Sequence, residues 1–307
     1  MRNLPTLFIK RPLRVLHTIL YCSLVLLAAG PATSAQQKDK KNIAAAAPPA
    51  LTRTTTRHEV RRFAYGSSLT ILGAPSGSIT IEAWPRSEVD ITAEIELHAG
   101  TEDELTGLAA VNGFTLDEDV NHLRIITTGT HDKAYMRRFG KNFPKALLGL
   151  PWKIDYHIRV PVACDLEIDM GRGSFRLTGI EGSISLRAQE SDATMTLSSG
   201  AVTATIASGS ARINLTTRSW RGAGALIQLA AGDLTVELPP GLNADINADI
   251  LRSGQIENDY PSLIPQERTT FTTRSMQGRA GVGGATLSFK VGDGTLRIRQ
   301  QKPSGDK

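Results

Sequence analysis

The chain has 307 residues, 40% of them hydrophobic and 21% charged, the make-up of a globular protein with room for one large domain or two modest ones. Its formal charge of +5 is concentrated at the start, where residues 1–35 hold Arg2, Lys10, Arg11 and Arg14 and no acid; without these four the charge is +1. A nearly neutral body makes no case for a nucleic-acid partner, and two cysteines cannot build a disulfide framework.

The basic start is followed by a mostly apolar run over residues 19–29 and then by Pro31-Ala32-Thr33-Ser34-Ala35. That order reads as a secretory signal peptide over residues 1–35, with cleavage after Ala35. Eleven apolar residues fall short of the ~20 that a membrane span needs, so no transmembrane span is expected after cleavage. Cys22 lies inside this run and lacks the small preceding residues of a lipoprotein site. Residues 36–58, with Gln36-Gln37-Lys38-Asp39-Lys40-Lys41, Pro48-Pro49 and Thr54-Thr55-Thr56, show no sustained apolar period and read as a disordered or extended linker. Residues 59–300 are expected to form one repeat domain, and residues 301–307 a polar tail.

Alternating apolar residues predict strands over residues 69–72, 78–83 and 88–97. Thr101-Glu102-Asp103-Glu104 is a capping box, and Leu105, Leu108 and Ala109 give a short apolar face, so one helix is predicted before Gly113. Residues 129–152 interrupt the pattern as a basic and aromatic insertion. Tyr135, Phe139, Phe143 and Trp152 alternate there with Lys133, Arg137, Arg138, Lys141 and Lys145, and no acid occurs between Asp132 and Asp155. Cations and rings together suit a surface contact with anionic lipid, lipopolysaccharide or acidic glycan. The plainer alternative is a loop packed on the flank of the domain, its cations simply solvated.

From Leu166 onward the sequence repeats every nine residues. Leu166, Phe175, Ile184, Ala193, Val202 and Ala211 are all apolar, as are Ile168, Leu177, Leu186, Met195, Ala204 and Ile213 two places on. The positions between are Glu167, Arg176, Ser185, Thr194, Thr203 and Arg212, and small residues recur at Gly173, Gly182, Ser191, Gly200 and Gly209. Period two inside each copy turns one face inward, and glycine supplies the backbone freedom of a tight turn. One such copy cannot bury its apolar face alone, so copies must stack. The predicted fold is all-β: a β-solenoid or β-roll-like stack of nine-residue strand-turn repeats, with one short helix and a strand-rich N-terminal portion. Parallel coils of about eighteen residues and an antiparallel meander both fit the period; the repeated glycines and constant inward phase favour the coil. The pattern returns at Ala225, Ile227 and Leu229, at Leu234, Val236 and Leu238, and at Leu287, Phe289, Leu296 and Ile298. Residues 218–224 and 258–276 read as loops.

A succession of short motifs resembles a known family. It comprises a strand pair with a glycine turn over residues 68–83, a helix and strand over 101–127, and Ile158-Arg159-Val160-Pro161 at a strand end. The glycine-punctuated repeats follow, then Leu238-Pro239-Pro240-Gly241 and a closing Gly-Asp-Gly-Thr-Leu-Arg-Ile from Gly292. Over residues 59–300 this order is similar to the exported bacterial β-strand-repeat proteins of adhesin-like type, a domain of unknown function. The resemblance implies a β-solenoid and an extracytoplasmic location, periplasmic or at the cell surface. It brings no catalytic residues, and residues 129–152 depart from its pattern.

The sequence carries few patterns that imply chemistry. The calcium-binding β-roll needs Gly-Gly-x-Gly-x-Asp turns, and only Val291-Gly292-Asp293-Gly294 partly matches. His98, His122, His131 and His157 lack ligand spacing, no Gly-x-Ser-x-Gly elbow occurs, and Cys164 reads as a small buried residue. Glu167, Asp169 and Asp192 would have to converge in one groove for a carbohydrate-active β-helix enzyme. The expectation is therefore a non-enzymatic adhesin-like or cell-envelope scaffold protein with no cofactor, metal or catalytic residues. A carbohydrate-active enzyme and an anionic membrane or glycan binder acting through residues 133–152 are the alternatives. Its expected partners are an envelope glycan, a lipid or another surface protein.

Overall fold

The computed structural model describes residues 51–302, which lie in one compact unit. The expected signal peptide, most of the expected linker and the end of the expected tail fall outside the described residues. In chain order the elements are β1 (Leu51–Arg62), β2 (Ser68–Ser76), β3 (Ile79–Trp84), β4 (Glu88–Ala99), α1 (Glu102–Ala109), β5 (Gly113–Asp119) and β6 (His122–Thr128). Then come α2 (Lys133–Phe139), a 3-10 turn (Lys145–Gly149), β7 (Trp152–Pro161), β8 (Asp165–Thr178), β9 (Ser183–Leu197) and β10 (Ser199–Leu215). β11 (Arg221–Leu238), β12 (Ala244–Asp259), β13 (Leu263–Pro265), β14 (Ser275–Ala280) and β15 (Thr286–Gln300) complete the described chain. Among the described residues it is mostly β, with two helices and one large sheet that does not close.

The repeat governs the pairing. β8, β9 and β10 are parallel neighbours whose partners lie eighteen residues apart, Leu166 beside Ile184 and Ile184 beside Val202. The row extends to Leu69 on one side and to Ala225, Leu287 and Ile246 on the other. A second row runs through Ile79, Phe175, Ala193, Ala211, Leu234, Leu296 and Ile256. Every member of both rows is buried. Each larger side chain so buried contributes up to ~1.5–3 kcal/mol, and repetition spreads that stabilisation along the sheet.

The nine-residue unit is not itself an element. Each of β8 to β11 runs through two units, because the ladder persists across the bend between them: Gly173 pairs with Ser191, Ser191 with Gly209, and Gly209 with Gly232. At Gly209 the backbone has φ +122°, and a β-carbon there would run into the Ser191 carbonyl. Glycine at this bend lets adjacent rungs approach to the ~4.8 Å of a ladder without a side chain between them.

Four readings need correction. The linker ends earlier than residue 58, since β1 begins at Leu51 and pairs antiparallel with β4 along its whole length. The insertion is not a plain loop but holds α2 and the 3-10 turn, so there are two helices and not one. Residues 221–224 belong to β11, and the 258–276 stretch contributes the end of β12, all of β13 and the start of β14. Residues 68–83 form no hairpin: β2 and β3 are not partners but pair in parallel with the two halves of β8.

Helix α1 follows its signals. Thr101 Oγ1 accepts from the Glu104 amide at 3.2 Å, Glu104 Oε2 accepts from the Thr101 amide at 3.1 Å, and Leu105 and Leu108 are buried.

Candidate functional site

The segment between β6 and β7 carries the residues that the sequence singles out. Asp132 starts α2 by accepting from the amides of Ala134 (2.8 Å) and Tyr135 (3.0 Å). Lys133 and Arg137, one turn apart, are exposed, as are Arg138, Lys141 and Lys145. Phe139 is the last residue of α2. Leu147 is buried, and Phe143, Leu150 and Trp152 pack against the core, holding the segment down from beneath. Tyr135 is half-buried. The Trp152 ring meets His131 at a centroid distance of 5.4 Å. Desolvation lowers the His131 imidazole pKa against the opposing pull of Asp132, which favours its neutral form.

The sequence therefore predicts the two halves of this segment unequally. Its cations are exposed, as a surface contact requires. Of its rings, Phe143 and Trp152 serve as anchors, which leaves them poorly placed to stack on a ligand.

Strand register gathers His58, Asp90, His157 and Arg159 into a second cluster that sequence spacing does not show. Antiparallel pairing of β1, β4 and β7 sets His58 beside Thr92 and Thr92 beside His157, with His98 further along the same face of β4. Each faces a carboxylate: His58 and Asp90 at 3.0 Å, His98 and Glu96 at 2.8 Å, His157 and Glu82 at 3.3 Å. Arg159 also donates to Asp90 at 2.6 Å and stacks over Trp84. Burial alone would raise the Asp90 pKa; hydrogen bonds from Arg159 and His58 more than offset it and hold the carboxyl below its ordinary range. Only the strand register could have revealed this cluster, because its members lie up to about a hundred positions apart.

Of the three acids weighed for glycoside chemistry, Glu167 and Asp192 are engaged elsewhere. Glu167 pairs with Arg187 on the next strand at 3.3 Å, and Asp192 accepts from Ser210 at 2.6 Å at the bend. Asp293, the acid of the partial calcium motif, pairs with Arg252 at 2.7 Å and accepts from Ser253 at 2.8 Å. Among the described residues no group of three or more His, Cys, Asp or Glu side chains could hold a metal ion. Cys164 is buried, and its thiol pKa is pushed up to about 12 by desolvation, which removes nucleophilic thiolate at neutral pH. No helix among the described residues is long and apolar enough to cross a membrane.

Fold and site together define a β-rich, stacked-strand protein with a basic insertion on its flank. No family model matches the chain, and no curated protein matches it either. Three solved structures are similar to it. A Clostridium sporogenes protein assigned to cell adhesion has 12% identity and a TM-score of 0.41, covering 80% of this chain and 100% of its own. An adhesin-type protein of Bacteroides fragilis has 9% identity and a TM-score of 0.30, over 80% of this chain and 97% of its own. One from Parabacteroides merdae has 8% identity and a TM-score of 0.19, over 79% and 95%. The family resemblance drawn from the sequence motifs thus has no family model behind it.

Proposed function

We propose that the chain is an exported, non-enzymatic adhesin-like or cell-envelope scaffold protein presenting the flanks of a β-solenoid-like stack. The observation that carries this reading is the in-register parallel pairing of β8, β9 and β10 at eighteen-residue offsets. Such pairing builds an extended surface from rows of outward side chains. Those rows engage one another, as Arg187 with Glu167 and Arg172 with Glu190 do, which suits a presented surface better than a reacting one. Export rests on the basic start, apolar run and small residues of positions 1–35.

The test is fractionation of cells expressing the full chain with a C-terminal tag, followed by N-terminal sequencing. The reading expects an extracytoplasmic product beginning at Gln36; a cytosolic product with an intact N-terminus would overturn export. Release of reducing ends from a polysaccharide panel, abolished by Glu167→Gln or Asp169→Asn, would overturn the non-enzymatic part.

A further inference from the structure

We infer that the outward side of residues 133–148 docks on an anionic phospholipid surface. This deepens the proposed envelope role by naming a partner, and its test does not depend on where the protein is sorted.

Three observations carry it. First, Lys133, Arg137, Lys141 and Lys145 are exposed and make no ion pair or hydrogen bond among the described residues, whereas most arginines of the strands do. Uncommitted cations are the ones that lose least when they meet an external anion. Secondly, the acids of α1, which packs beside the 3-10 turn through Gly107 and Leu147, are largely spoken for. Glu102 pairs with Arg53 at 2.7 Å and Glu104 closes the capping box, leaving Asp103 as the free carboxylate of that helix. Thirdly, the 3-10 turn exposes Leu148 (43%) next to Lys145, while Leu147 beside it is buried. An aliphatic tip flanked by cations matches the boundary between headgroups and acyl chains. A sugar polymer would call for exposed rings, and here Phe143 and Trp152 are partly buried against the core and Tyr135 is half-buried. The observations thus favour lipid over glycan.

The experiment is sedimentation of the full chain with phosphatidylcholine vesicles with and without phosphatidylglycerol. Arg2, Lys10, Arg11, Arg14, Lys38, Lys40 and Lys41 are replaced by Gln in every protein compared, so that the quantity read, the increment that phosphatidylglycerol adds, carries no contribution from the basic N-terminal residues. Each cation near such a surface is worth about fivefold in partitioning, so Arg137→Glu with Lys141→Glu should lower the increment about 25-fold or more and flatten its salt dependence. Leu148→Ser should lower binding while leaving the salt dependence unchanged. Both sets of positions are exposed, and an unchanged circular dichroism spectrum checks that the variants fold. An increment that is absent, or that survives the double charge reversal, overturns the inference. So does capture by an acidic polysaccharide such as alginate that is lost in the same variant while vesicles give no increment. A cytosolic location found by fractionation would sink the export reading and leave the vesicle result to be judged on its own.

Discussion

At Gly209 one atom decides whether two rungs can meet. The backbone sits at φ +122°, and the Ser191 carbonyl of the neighbouring strand occupies the place where a β-carbon would go. Gly209→Ala is therefore expected to cost at least about 2 kcal/mol, from left-handed strain and from the rung displacement needed to clear the carbonyl. Ser191 lies in the same row of the bend, is buried, and holds its hydroxyl without a hydrogen-bond partner among the described residues. Removing that hydroxyl removes an unsatisfied polar group, so Ser191→Ala should be neutral or mildly stabilising. Urea unfolding of the two variants checks the contrast; equal losses would mean that the bend does not depend on close approach. The glycines themselves are legible in the sequence, because they recur at fixed places. Ser191 is legible in the same row; what the sequence does not disclose is that its backbone, unlike that of Gly209, stays out of the positive-φ region.

Strands were legible where an apolar period marked them and α1 where period and cap agreed; elements lacking these signals were opaque. α1 has both, and forms as read. β1 has neither: Leu51–Arg62 shows no inward alternation, and its long stretch of Thr and Arg resembles a tether. It forms because β4 offers twelve backbone partners and because its arginines find local sites. Arg57 lies over the Phe114 ring at 4.2 Å and donates to the Phe114 carbonyl at 2.7 Å. α2 did leave a signal, the Asp132 cap, but the helix is too short to show a face. The junction of β1, β4 and β7 makes a pH prediction at this scale. Asp90 is buried and held below the ordinary carboxylate range by Arg159 and His58, so it is ionised in the folded state at pH values where the unfolded chain is already protonated. Its contribution is then fully present above about pH 4 and is lost as pH falls through the depressed folded value. Asp90→Asn should cost about 1 kcal/mol at pH 7, the figure being modest because Arg159 and His58 are themselves half-exposed. Unfolding midpoints at pH 7 and pH 3 check the sign: the gap between wild type and variant should narrow at the lower pH, and a gap that stays constant or widens contradicts the assignment.

Across the whole molecule the period specifies a rung but not its place in the order. β15, last in the chain, lies between β11 and β12 and pairs in parallel with both. Its two apolar sets, Leu287 with Phe289 and Leu296 with Ile298, match those of every other rung, so nothing local forbids the insertion. The same equivalence predicts which deletions the sheet tolerates. Removing residues 184–201 takes out eighteen residues, joins Ser183 to Val202, and lets Leu166 meet Val202 and Phe175 meet Ala211 in the registers that Ile184 and Ala193 occupied. Every later strand keeps its inward side chains and stays on its own side of the bend. Removing residues 184–192 takes out nine, which preserves the apolar pattern yet exchanges the two halves of all later strands. β15 and β12 would then present Leu287 and Ile246 where the first half of the sheet requires the row of Leu296 and Ile256. The eighteen-residue deletion should stay soluble and unfold cooperatively at a somewhat lower Tm, and the nine-residue deletion should be insoluble or unfold without a transition. Equal tolerance of both would show that the nine-residue unit, and not the eighteen-residue pairing, is what the sheet counts.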